Sequence, residues 1–88
     1  MNYMLTINFA YKSGTNGYWN LDGCDKIIKS FKKKDYSYPI PSEHSIIKLN
    51  VNDKWNHYLV TDINYTYGDD NDEKCDNVYV YIYLIYIP

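Results

Sequence analysis

The stretch "NVYVYIYLIYIP" at residues 77–88 constrains the fold more than any other part of the chain. Read as a strand it is apolar or aromatic on both faces, with Val78, Val80, Ile82 and Leu84 on one side and Tyr79, Tyr81, Tyr83 and Ile85 on the other. Most strands in a small domain hide only one face, so a second cover has to be found. A chain of 88 residues makes one domain, residues 1–88, with a single modest core.

Three further stretches read as strands. Residues 2–11 alternate with period two, Tyr3, Leu5, Ile7, Phe9 and Tyr11 against Met4, Thr6, Asn8 and Ala10. Residues 44–51 place Ile47, Leu49 and Val51 on one face. Residues 55–67 place Trp55, Leu59, Ile63 and Tyr65 on the core face, and Tyr58, Val60, Asp62, Asn64 and Thr66 opposite. The acidic loop 68–76 joins this strand to the last one as a hairpin.

Between the first two strands the spacing predicts a helix over 22–33. Cys24, Ile27, Ile28 and Phe31 fall at i, i+3, i+4 and i+7, Asp22 serves as N-cap, and Lys32, Lys33 and Lys34 suit the C-terminal end of the helix dipole. "YPIP" at 38–41 then ends it. The expected fold is α+β in the order β-α-β-β-β: a four-stranded, antiparallel-rich twisted sheet or half-barrel with one packed helix. That helix covers one side of the sheet. The tyrosines are left on the other, either wrapping the outside of a curled sheet or forming a docking surface.

Composition narrows the function. The chain has no Arg and a net charge of −2, which argues against a sequence-reading nucleic-acid binder. No apolar run is long enough for a transmembrane helix, and the N-terminal stretch lacks the basic region of a signal peptide, so no membrane partner and a cytoplasmic location, in a host cell cytosol, are expected. Cys24 and Cys75 are too few for a disulfide framework, and their pairing stays open. Neither they nor His44 and His57 have zinc-type spacing, and "DDNDEKCD" lacks the calcium-loop order. Adjacent His44 and Ser45 point to opposite faces of a strand and cannot form a nucleophile–base pair. No catalytic residue, metal or cofactor is expected, and the chain reads as a binding protein rather than an enzyme.

Tyrosine carries the strongest binding signal, because it offers large amphipathic contact area at low entropic cost. Tyr79, Tyr81, Tyr83 and Tyr58 are the expected partner-binding residues, with Asp69, Asp70, Asp72 and Glu73 presenting negative charge to a basic surface. Lys32, Lys33 and Lys34 would hold phosphates if the ligand were instead a small nucleotide signal. A third possibility is a structural protein that forms oligomers, such as a homodimer, without ligand.

"YPIPSEHSIIKLNVNDKWNHYLVTDINYTY" followed by "NVYVYIYL" resembles a pattern in small β-rich proteins of phages and mobile elements, a "P-x-x-G-D-x-V-x-L" strand before "W-Y-x-V-x-x-V-x-W/Y" and a closing "V-x-V-x-L". Pro41, Ile47, Leu49, Trp55, Tyr58, Val60, Ile63, Val78, Val80 and Ile82 carry the resemblance, and His44-Ser45 stands where the pattern has Gly-Asp. Many such proteins inhibit host defence, anti-CRISPR proteins among them. The resemblance therefore implies a viral inhibitor that binds a host defence protein, such as a CRISPR effector, by surface occlusion. It carries over no functional residues.

Overall fold

The computed structural model describes residues 4–19, 25–34, 39–68 and 77–88. Among these the fold is all-β. Five strands, β1 (Met4–Tyr11), β2 (Lys26–Lys33), β3 (Ile46–Val51), β4 (Lys54–Tyr67) and β5 (Asn77–Ile87), form one sheet in the order β2-β1-β5-β4-β3. The β1–β5 pair is parallel and the other three are antiparallel, so the sheet is mixed and curls into a half-barrel.

The expected helix over 22–33 and the α+β class are thereby corrected. Residues 26–33 form an edge strand, and residues 22–24 lie outside the described residues. The helical spacing of Ile27, Ile28 and Phe31 is produced by a β-bulge. Phe9 pairs with Lys29 and Ala10 with Ile27, which leaves Ile28 as the extra residue. Ile28 and Phe31 pack on the core while Ile27 is exposed. Without β2, the outer edge of β1 would present its N–H and C=O groups unpaired. Of the lysines read as a helix C-terminus, Lys32 and Lys33 instead end an edge strand, where charge discourages pairing with another chain, and Lys34 follows it.

The sheet builds its core by curling on itself. Leu5, Ile7 and Phe9 of β1, Leu49 of β3, Tyr58 and Val60 of β4, and Val78, Val80, Ile82 and Leu84 of β5 meet on the concave side. Ile40, from the segment between β2 and β3, packs against this cluster. That segment is held where the His44 N–H donates to the Val60 carbonyl and the Val60 N–H donates to the Ser45 carbonyl.

A second bulge decides which side chains enter the core. In the β4–β5 ladder Asp62 pairs with Tyr83 and Val60 with Leu84, so Thr61 is the extra residue. One inserted residue swaps the faces of everything beyond it. Ile63 and Tyr65 therefore share the concave face with Tyr58 and Val60. Trp55 and Leu59, expected in the core, leave it. Tyr58, expected on the outer face, is instead core at 2 % exposure.

β5 is the central strand. Val80 and Ile82 are fully buried on the concave side, and the convex row of Tyr79, Tyr81 and Tyr83 is half-buried to buried. The convex row lies beside Thr6, Asn8 and Ala10, small side chains of β1 that are themselves buried. Ser30 of β2 donates to Asn8 from the other side at 2.7 Å. Past Tyr83, β5 has outrun β1, and a side chain replaces the missing strand. The Asn16 amide donates to the Leu84 carbonyl at 3.0 Å and its oxygen accepts the Tyr86 N–H at 2.7 Å. Asn16 sits at a φ of 52°, a left-handed conformation that asparagine tolerates.

Deleting Thr61 should shift Trp55–Val60 by one residue against β5, drive His57 and Leu59 toward the core and abolish cooperative unfolding. Thr61→Ala should cost only about 1 kcal/mol, for its hydrogen bond to the Tyr83 carbonyl. Thermal melts by circular dichroism check both, and a deletion variant as cooperative as wild type would refute the face assignment.

Candidate functional site

The half-barrel leaves a groove of about 710 Å³ between its two edge strands, β2 and β3. Phe9 and Leu49 form its apolar floor, and Ile40, flanked by Pro39 and Pro41, covers one end. Phe31 of β2 meets Phe9 edge-on, ring centroids 6.1 Å apart. The opposite rim is the β3 edge, where Trp55, an indole 61 % exposed, stands on the outward side that strand alternation gives it together with Lys48 and Ile46. Each of these two walls carries a lysine on its aromatic ring. The Lys29 ammonium lies 5.6 Å from the Phe31 centroid, and Lys48 lies 5.7 Å from Trp55. The remaining polar lining is Asn50 and Asp53.

The positions of Trp55 and Asp53 follow from local sequence. Val51 pairs with Lys54, so Asn52 and Asp53 alone turn the chain. Their φ values of 53° and 65° fit a type I′ turn, the two-residue hairpin favoured by Asn and Asp. This tight turn fixes Asp53 at the groove end and Trp55 beside Asn50, its cross-strand partner.

The sequence-predicted residues are distributed differently. Tyr79 and Tyr81 are half-buried on the convex face. Tyr81 stacks on Tyr83 at 6.5 Å with rings 17° apart. Tyr83, 9 % exposed, is engaged within the fold: its hydroxyl donates to Asp25 at 2.8 Å, and Lys12, which also pairs with Asp62, lies 4.7 Å over its ring. Tyr58 is in the core, between Tyr11 and Tyr86. Lys32 and Lys33 end β2, Lys34 follows it, and none of the three lines the groove. Asp69, Asp70, Asp72, Glu73, Cys24 and Cys75 lie outside the described residues.

The groove was missed because Lys29 and Phe31 were assigned to a helix and Trp55 to the core. The available signal was the alternation in "KSFKK", together with the "ND" turn that sets the hairpin register. Among the described residues no three His, Cys, Asp or Glu side chains come together to hold a metal ion, and no helix is long and apolar enough to cross a membrane.

The convex face carries a second feature. Ile46, Leu59 and Ile85 are direct cross-strand partners on β3, β4 and β5. Ile46 is 65 % exposed and Ile85 40 %, so an aliphatic row faces outward. Comparison with protein-family models, with curated proteins and with solved structures finds no match.

Burial, then the bond to Asp25, pushes the Tyr83 hydroxyl up to about 12. Burial and the bond to Tyr58 push Tyr11 up to about 12 as well. In the unfolded chain both ionise near 10, so above that pH the unfolded state loses protons that the fold retains. The stability these groups contribute is whole below pH 10 and is lost as pH rises toward about 12. Tyr83→Phe should cost about 1 kcal/mol at neutral pH, by losing the bond to Asp25, and should flatten the alkaline loss. Urea denaturation from pH 8 to 12 tests this; identical slopes for the two proteins would contradict it.

Proposed function

We propose that the chain is a non-catalytic binding protein that sequesters a small amphipathic anion in the groove between β2 and β3. One observation carries the reading: an apolar, aromatic-walled groove with a lysine on each of its two opposite edges. Its volume of about 710 Å³ lies within the range of sites for small organic ligands, and such sites are mostly apolar with a few convergent polar groups. The charge distribution supports an anion. Two lysines, Lys29 and Lys48, line the groove against a single carboxylate, Asp53. The sequence offered Lys32–Lys34 for a small nucleotide signal; we instead place a small anion at Lys29 and Lys48.

The test is to equilibrate the protein with a bacterial small-molecule extract, wash it, denature it and identify what is released. Wild type should enrich an anionic compound and return it chemically unchanged. Trp55→Ala should weaken retention by about 2 kcal/mol, as expected for an aromatic anchor, while melting near the wild-type temperature. Equal release from the variant, or release of a converted product, would overturn the reading.

The exposed row Ile46–Leu59–Ile85 favours a second reading, the inhibitor of a host defence protein that the phage-type resemblance implies. A contiguous apolar patch on a folded surface suits a protein partner, and Tyr81 extends the same face. In bacteria protected by a CRISPR system, expression of the wild-type chain should restore phage plating. The Ile46→Asp, Ile85→Asp double variant should not, while keeping its fold. Unchanged inhibition by that variant would remove the convex face from the mechanism.

A further inference from the structure

We infer that the ligand of the groove is a nucleotide carrying at least two negative charges, its base against Trp55 and Asp53 and its phosphates between Lys29 and Lys48. This inference rests on the groove reading above and narrows it to a ligand class.

The placement of charge argues for that class. Lys29 belongs to β2 and Lys48 to β3, the two outermost strands of the sheet; Lys29 lies on the Phe9 side and Lys48 on the outward side of the β3 rim, and both line the one groove. A ligand with a single carboxylate engages one ammonium and leaves the other opposite apolar surface. A di- or triphosphate has charge enough for both walls, and lysine serves phosphate as a point charge without demanding fork geometry. Each ammonium lies over an aromatic ring, Lys29 over Phe31 and Lys48 over Trp55. Movement of the ammonium to a phosphate uncovers the ring for stacking, and every base has a π-face to offer.

The other polar groups set the direction of the ligand. Asp53, fixed by the tight turn, accepts hydrogen bonds and repels phosphate, so phosphates lie away from it and a base N–H donor lies toward it. Asn50, paired with Trp55 across the hairpin, both donates and accepts, as the edge of a base requires. A fatty acid would leave Asp53, Asn50 and one lysine without a role.

Trp55 provides the readout. In a Trp19→Phe background it is the single tryptophan of the chain. Its fluorescence is followed during titration with GTP, ATP, guanosine, inorganic triphosphate, laurate and a ten-residue oligothymidylate. The inference expects quenching by at least one nucleoside triphosphate, with affinity at least tenfold above that of guanosine or inorganic triphosphate and falling with added salt. Lys29→Gln and Lys48→Gln should each weaken that binding about tenfold, and Lys34→Gln, outside the groove, should leave it unchanged. Binding of laurate without nucleotides would overturn the nucleotide and keep the groove. Binding of the oligonucleotide without mononucleotides would also overturn it, in favour of a single-strand surface. No response to any probe, with none of them shifting the melting temperature, would overturn the groove reading itself.

Discussion

The structure depends on a strand that has to be covered twice. β5 presents Val78, Val80, Ile82 and Leu84 to one side and Tyr79, Tyr81 and Tyr83 to the other. The fold answers by placing it third of five, between β1 and β4, so that neighbours flank both rows. The aliphatic row is buried by curling the sheet rather than by a helix, and the tyrosine row is accommodated beside the small side chains Thr6, Asn8 and Ala10. Parallel pairing of β1 with β5 requires a long connection, and β2, β3 and β4 are all drawn from it. Closing a curved sheet over its own core without covering both edges is also what leaves a groove between β2 and β3.

Much of this was legible in residues with unambiguous alternation. The strands read at 2–11, 44–51, 55–67 and 77–87 correspond to β1, β3, β4 and β5, and the last two form a hairpin as expected. The possibility that tyrosines cover the outside of a curled sheet was open from the sequence. Two bulges hid the rest. Ile28 as an extra residue in β2 turns strand periodicity into something that reads as 3.6, and Thr61 in β4 exchanges Trp55 and Leu59 for Tyr58 and Val60. Neither bulge carries a glycine, so neither Ile28 nor Thr61 marks its position in the sequence. Of the partner-binding residues expected, Tyr83 and Tyr58 are used by the fold itself. The groove rims, Phe31 with Lys29 and Trp55 with Lys48, lie on the two strands whose periodicity the bulges disguise.

The same bulge shapes both candidate surfaces. By expelling Trp55 from the core it places an indole at the groove mouth, and by expelling Leu59 it completes the outward aliphatic row with Ile46 and Ile85. Both candidate surfaces are thus products of one inserted residue. The basic character of the groove similarly follows from edge protection. One of the lysines that keep β2 from pairing with another chain, Lys29, also lines the groove.

The central claim is that β5 is the interior strand from which the rest is hung, and native-state hydrogen exchange tests it most directly. Amides of Val78–Leu84 that donate within the sheet should exchange only through global unfolding, with the same free energy as the equilibrium transition, and β2 and β3 should open at lower cost because each has a neighbour on one side only. Exchange from β5 as fast as from the edge strands, or protection of 26–33 in a helical i→i−4 pattern independent of β1, would contradict it.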